Sequence, residues 1–329
     1  MTNTTIEDAS WRNARSDAFR RRVSYYISLT LSVSTLLLLG AGALVTSTGS
    51  SLSVPDWPLA YGQWFPPMVG GIFYEHGHRM VATTVGFVTT VLALWLWRNE
   101  PRSKVRLLGW LLLFLVIFQG VLGGITVLYL LPKSISISHA MMAQIFFLLS
   151  VVVTQMTAPG YEQLRRKGHQ AARQQPDSRL PLYSALTLGL LLTTLLLGAA
   201  TRHFNAGMAI PDFPLNYGQI IPPLVGFPVI LHFSHRVLAW LSLLAVITVF
   251  TTAMRRHRED KELLIPALLM LVLVVVQILL GGGVIWTIKS VFFTTVHLMN
   301  GALLIVTTGL LALRGRYFAG ASALAYQES

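Results

Sequence analysis

The chain has 329 residues, 53% hydrophobic and only 12% charged, with a mean hydropathy of +0.61. A soluble domain of this length needs far more charge to cover its surface, so the long uncharged runs read as transmembrane helices. The complete lack of cysteine excludes disulfides, thiolate metal sites, iron–sulfur clusters and cysteine nucleophiles, and leaves any redox chemistry to a bound cofactor.

In chain order, a polar, basic segment 1–22 precedes an apolar run, 23–46, that is longer than the roughly 7–15 residues of a signal-peptide core and reads as a retained first helix. Seven further runs follow at 79–97, 107–128, 139–157, 182–201, 236–253, 264–286 and 297–313, each near the ~20 residues a helix needs to cross hydrocarbon. Twenty of the 25 Lys and Arg residues fall in five segments, Arg12 to Arg22, Arg98 to Arg106, Arg165 to Arg179, Arg255 to Lys261, and Arg314 with Arg316. These alternate with segments holding only Arg79, Lys133, Arg202, Arg236 and Lys289. The asymmetry places both termini in the cytoplasm of a cell (inner) membrane protein and accounts for the net charge of +12. The basic segments carry no aromatic stacking pattern, which argues against nucleic acid as a partner and leaves lipid.

The chain repeats itself. Val54-Pro-Asp-Trp-Pro-Leu-Ala-Tyr-Gly-Gln-Trp-Phe-Pro-Pro-Met-Val-Gly70 matches Ile210 to Gly226 at 11 of 17 positions. His78-Arg79 then matches His235-Arg236, Gln119 matches Gln277, Gly123-Gly124 matches Gly281-Gly282, and His139 matches His297. The expected fold is an all-α integral membrane protein of eight transmembrane helices, built as two tandem four-helix bundles, 23–157 and 182–313, related by a pseudo-twofold axis along the membrane normal. A linker, 158–181, and a tail, 314–329, complete the cytoplasmic side. The repeated outer loops, about 47–77 and 202–234, are long, rich in Pro, Gly and aromatic residues, and read as rigid lids, aromatic anchors at the membrane interface, or both.

Four histidines, His78, His139, His235 and His297, each begin a helix that starts at the outer face, so all lie at one depth, two per half. Neutral imidazole is a good iron ligand, and one pair per half is what a haem between helices needs. A non-haem metal or a purely structural role is the alternative. His76 reads as a loop residue and His232 as a neighbour of the second site; His169 and His257, in basic loops, read as ordinary solvated side chains. Glu75 aligns with His232 and has no acidic counterpart. Three residues before His78, it shares that histidine's helix face and is a candidate proton carrier, or else an acid favoured by the helix dipole. Asp56 and Asp212 read as turn braces within the repeated motif. Arg79 and Arg236, and less firmly Lys133 and Lys289 ahead of the fourth and eighth helices, are placed to pair with porphyrin propionates. Gln119 and Gln277 read as interhelical hydrogen-bonding residues, each followed by a glycine pair that permits close packing.

Glu75-His-Gly-His78-Arg79-Met80, Ser138-His139-Ala140, His235-Arg236 and His297, set on this tandem repeat over about residues 25–315, resemble the haem A synthase family of the CtaA/COX15 type. The resemblance implies an oxidoreductase that oxidises the C8 methyl of haem O to a formyl group, giving haem A for terminal oxidase assembly. It places haem O as substrate in the first half with His78, His139 and Glu75, and haem b in the second half on His235 and His297. It implies an unidentified electron donor and haem O synthase, the protohaem farnesyltransferase, as partners. The loop cysteine pair of some members is missing here. A dihaem b-type electron-transfer protein, or a haem transporter or chaperone, stands as the alternative class.

Overall fold

The computed structural model describes residues 3–174 and 177–319, with side chains from residue 18 onward. Parts of the expected 1–22 segment and 314–329 tail therefore lie outside the described residues. Among the described residues nine α-helices follow in order: α1 Asn3–Ser47, α2 Gly71–Asn99, α3 Ser103–Leu128, α4 Lys133–Thr157, α5 Tyr161–Gln174, α6 Arg179–His203, α7 Phe227–Arg256, α8 Lys261–Trp286 and α9 Val291–Gly315. All but α5 are long and apolar enough to cross a membrane. Helix is the form in which a backbone surrounded by hydrocarbon satisfies its own hydrogen bonds.

Helix contacts run α1–α2, α2–α3, α3–α4 and α4–α1 in the first set, and α6–α7, α7–α8, α8–α9 and α9–α6 in the second. Within each ring, α2 stands diagonally opposite α4, and α7 opposite α9. The two rings meet through α1, α4, α6 and α9.

Small and hydroxylated residues make these close contacts possible, because lipid tails offer no hydrophobic drive for helices to associate. On α1, Ser28 and Ser32 face α4. Ser28 Oγ lies 2.9 Å from Thr157 Oγ1, and Ser32 Oγ lies 2.9 Å from Thr154 Oγ1 and 3.3 Å from Ser150 Oγ. Gly109 of α3 packs on Ala93 and Leu96 of α2, and Gly309 of α9 receives Leu148 of α4.

Three features depart from the sequence reading. The helices that carry the histidines begin six to nine residues before the apolar runs do, at Gly71, Lys133, Phe227 and Val291. Polar residues near each start, among them Glu75, His76 and His232, interrupt the apolar pattern while the helices run on past them, so His76 and His232 lie on helices, not in loops. The 158–181 linker contains α5, tied to the turn after α9 by Tyr161 Oη and Tyr317 Oη at 2.6 Å and to the start of α8 by Lys167 to Glu262 at 2.7 Å. His257 is buried rather than solvated: its Nε2 lies 3.0 Å from Asp177 Oδ2 and its Nδ1 3.3 Å from Asp260 Oδ2. Asp177, distant in sequence and close in space, hides the burial from composition. His169 packs against the Tyr317 ring, centroid to centroid 6.0 Å.

Candidate functional site

The two long loops, 48–70 and 204–226, lie at the same end of the molecule as the first turns of α2, α4, α7 and α9. Each loop is held by an Asp turn. Asp56 accepts hydrogen bonds from the backbone N–H groups of Tyr61 at 2.7 Å and Gly62 at 2.8 Å. Asp212 accepts from Tyr217 at 2.7 Å and Gly218 at 2.8 Å. Both turns pass through left-handed backbone, φ 53° and 71° at Tyr61 and Gly62, and 57° and 70° at Tyr217 and Gly218. Glycine takes the second position of each at no steric cost. The N–H groups, that of Gly62 or Gly218 foremost, hold the two carboxyl groups below the usual aspartate range. This is the bracing role expected from the repeated motif.

A second set of bonds ties each loop to the helix that follows. Glu75 accepts from Val54 N–H at 2.9 Å and pairs with Arg79 at 2.7 Å. Arg79 also donates to the carbonyls of Asp56 at 2.8 Å, Leu59 at 3.0 Å and Val54 at 3.2 Å. The second half repeats the pattern. Ile210 N lies 3.4 Å from His232 Nδ1 and Arg236 Nε 3.3 Å from His232 Nε2, and the neutral ring, with one lone-pair nitrogen, accepts one of these two N–H groups. Arg236 also donates to the carbonyls of Asp212 at 2.8 Å, Leu215 at 3.0 Å and Ile210 at 3.0 Å, and to Asn216 Oδ1 at 3.0 Å. Sequence spacing aims both arginines at porphyrin carboxylates; here their Nη groups donate to loop carbonyls and, in addition, to Glu75 from Arg79 and to Asn216 from Arg236. Lys133 and Lys289 are not equivalent either. Lys133 opens α4 and lies over the Phe204 ring at 4.5 Å, whereas Lys289 sits two residues before α9 with φ 62°, in register with Leu131 at φ 61°. His76 Nε2 meets the Trp64 carbonyl at 3.1 Å and fastens the loop from α2.

Beneath the loops, His78 on α2 and His139 on α4 occupy diagonal helices of the first ring, and His235 on α7 and His297 on α9 those of the second. Every one of the four leans on a glycine of the preceding transmembrane helix. A methyl placed on Gly198 would stand 2.9 Å from His235 Cε1, on Gly42 3.1 Å from His78 Cε1, on Gly281 3.3 Å from His297 Cε1, and on Gly123 3.5 Å from His139 Cε1. Where both nitrogens lie near the glycine, as for His78 and His235, Nδ1 is the closer and Nε2 the farther.

His235 Nδ1 lies 3.0 Å from the Thr194 carbonyl, a bond in which the ring nitrogen donates. The Nδ1 atoms of His78, His139 and His297 are buried without a hydrogen-bond partner. Asn300 donates to Gln277 Oε1 at 2.8 Å, which fixes that amide so that its N–H group points at His297 Nε2, 3.3 Å away. His297 Nε2 is therefore the lone-pair nitrogen. This is the tautomer a metal-binding imidazole adopts, with its other nitrogen free to donate. Glycine seats, Nδ1 turned to the neighbouring helix and an Nε2 lone pair together fit axial ligation of a haem. Among the described residues, no group of three or more His, Asp or Glu side chains converges as a bare metal site. An axial pair needs only two protein donors, the porphyrin supplying the rest.

A family model described as COX15-CtaA, cytochrome oxidase assembly protein, matches residues 70–308. The chain belongs to this family. Among its relatives is the heme A synthase of Symbiobacterium thermophilum, 33% identical over 243 residues, covering 71% of this chain and 76% of the relative. The heme A synthase of Alkalihalophilus pseudofirmus is 30% identical over 248 residues, 74% of this chain and 80% of that protein. That of Halalkalibacterium halodurans is 28% identical over 302 residues, 87% and 95% of the two chains.

Seen against the COX15-CtaA assignment, sequence reasoning missed the seats Gly42 and Gly198, the Thr194 carbonyl, Asn300, and the pair Arg202-His203. Arg202 reaches from α6 into the first ring, donating to Ser47 Oγ at 3.0 Å and to the Ala43 carbonyl at 3.4 Å. Gly42-Ala43 and Gly198-Ala199 stand at corresponding places in the repeat, a signal that needed only the two halves aligned over their first helices. The second glycine of each expected pair faces the lid rather than a histidine. A methyl on Gly124 would stand 2.9 Å from Trp57, and one on Gly282 2.8 Å from Phe213.

Proposed function

We propose that this chain is a haem A synthase, oxidising the C8 methyl of haem O to a formyl group. The observation that carries the reading is the duplicated pair of imidazoles, each seated on a glycine at one end of the molecule. All four lie at the loop-bearing end. This speaks against an electron-transfer protein with one haem near each membrane face, and for two sites side by side under two lids.

The loop-bearing end is the outer face of the cell membrane and both termini are cytoplasmic, as the Lys and Arg distribution requires. The two rings are four-helix bundles related by a pseudo-twofold axis along the membrane normal, the expected relation for parallel repeats. His235 and His297 hold haem b, and His78 and His139 face haem O. When bound, haem b between two imidazoles supplies one-electron transfer.

The residues of the chain position and shield. The glycine seats let the rings stand close to the neighbouring helix with Nε2 turned away from it. The loops, fastened by Arg79, Glu75 and His76 on one side and by Arg236 and His232 on the other, cover the sites and limit water. Glu75 is a carboxylate beside the substrate site and accepts the proton that the reaction releases there. Taking a methyl to a formyl group removes four electrons, as two hydroxylations followed by loss of water. Imidazole and carboxylate supply no oxidising equivalents, so oxidant and electrons come from outside the chain. An electron donor and haem O synthase are the partners this chemistry calls for.

The test is pigment analysis by mass after expression with haem O available. A formyl haem in the extract is the expected result. Unmodified haem alone overturns the reading and favours electron transfer or haem transport.

A further inference from the structure

The two halves differ at one buried amide. In the second half, Gln277 on α8 lies in a notch made by Gly301, where a methyl would stand 3.1 Å from its Nε2. Asn300 Nδ2 donates to its Oε1 at 2.8 Å, so both ends of the amide are engaged. In the first half, the matching positions are Ala143 in place of Gly301 and Met142 in place of Asn300. The alanine methyl fills the notch, and methionine offers no donor. Gln119 accordingly turns its N–H to the backbone carbonyl of His139 at 3.0 Å, and its Oε1 is left buried with no partner.

A buried carbonyl oxygen without a donor costs on the order of 1–3 kcal/mol. The second half shows that this fold has a ready way to avoid that cost. Among the described residues two side-chain amide oxygens are buried without a donor, those of Gln119 and Gln144, both in the half assigned to substrate, and that of Gln119 belongs to the amide bonded to the backbone of His139. An amide oxygen accepts only, so its partner must donate. Porphyrin carboxylates, methyls and vinyls have nothing to give it. An alcohol does, and haem O differs from protohaem by a hydroxyalkyl farnesyl substituent that carries one.

We propose that Gln119 is the residue by which the first half reads its substrate, its side-chain oxygen accepting a hydrogen bond from the alcohol of the hydroxyalkyl group on the bound porphyrin. The proposal rests on the reading that the first four helices hold haem O. A site built to meet a hydroxyl rejects the analogue lacking it, because the protein acceptor is then left unpaired.

The experiment is a spectral titration of the detergent-solubilised full-length chain with haem O and, separately, with protohaem, following the component that His78→Ala removes. The wild type is expected to prefer haem O. Gln119→Leu is expected to cut that preference about five-fold, the worth of one neutral hydrogen bond, while the second-half haem spectrum is retained. Met142→Asn combined with Ala143→Gly rebuilds the second-half arrangement, satisfies the oxygen internally and is expected to cut the preference to the same degree. It gives the same readout if Gln119→Leu does not fold. An unchanged ratio in a folded variant overturns the role of Gln119 and leaves the synthase reading standing. A wild type with no haem O component dependent on His78 overturns both.

Discussion

The two halves of the molecule make the same bonds with different charges. At corresponding places, Val54 N–H meets the Glu75 carboxylate, and Ile210 N–H meets the His232 ring. Arg79 pairs with the first and Arg236 with the second, and each arginine then gathers the same set of loop carbonyls. His232 fills the place of Glu75 without a charge, although a neutral ring accepts one of the two N–H groups where the carboxylate accepts both. What the first half gains is a buried negative charge, with Glu75 only 4% exposed, and a buried pair is expensive to assemble. A scaffold that needed only the brace had a neutral solution available and uses it once. The difference between the halves is therefore the place to look for chemistry, and their common features are the place to look for haem binding.

Exchanging the residues that differ gives the largest expected effect. Glu75→Gln keeps an acceptor for Val54 N–H but removes the charge and the site for the proton. Formyl haem production is expected to fall by about 100-fold, the usual scale of proton-transfer assistance, with the second-half haem spectrum intact. Glu75→His copies the second half and is expected to do the same, with the loop still held. Full output from either variant would reduce Glu75 to a brace and erase the functional contrast between the halves.

The glycine seats give a graded prediction within what the halves share. Alanine at Gly198 brings a methyl within 2.9 Å of His235, whose ring is already fixed by Thr194 and cannot easily yield. Second-half haem affinity is expected to drop by about ten-fold or more, as for other changes that disturb a ligand's orientation. Gly42→Ala meets His78 at 3.1 Å and Gly281→Ala meets His297 at 3.3 Å; neither ring is held through Nδ1, so smaller losses are expected. Gly123→Ala, at 3.5 Å from His139, is ordinary contact and should bind nearly normally. Haem titration of the four variants reads the series, and an effect that ignores the distances would show that the glycines serve helix packing alone.

Much of this was legible before any coordinates. Hydropathy marks the spans because hydrocarbon enforces them, and duplication marks the histidines because chance does not repeat a spacing. What sequence could not show is direction. Arg79 stands beside His78 in the chain, yet its Nη groups turn to carbonyls of Val54, Asp56 and Leu59 across the loop. Composition makes His257 a surface residue, but Asp177 arrives from 80 positions away to bury it. Gly42 and Gly198 look like packing glycines until the ring lying on each is seen. Helix starts were missed for a related reason, since Glu75, His76 and His232 interrupt the apolar pattern inside α2 and α7, and the helices run on past them to Gly71 and Phe227.

The smallest expected effect is one on which the halves should agree. Asp56 and Asp212 hold their turns as carboxylates, and both lie below the ordinary value of 3.8 because backbone N–H groups favour the charged form. A carboxyl group depressed by folding contributes its stability above the unfolded value and loses it as pH falls through the lower native one. The turns should thus be fully braced at neutral pH and down to about pH 4, and loosen only below it. Both groups are exposed, so solvent screens the gain and the loss is modest. Hydrogen exchange at Tyr61, Gly62, Tyr217 and Gly218 measures it. At pH 7, Asp56→Asn and Asp212→Asn are each expected to speed local exchange less than ten-fold, and equally. Below the native pKa, wild type and variant should converge. A loop that responded alone would mean that the loops, and not only the groups beneath them, have diverged between the two halves.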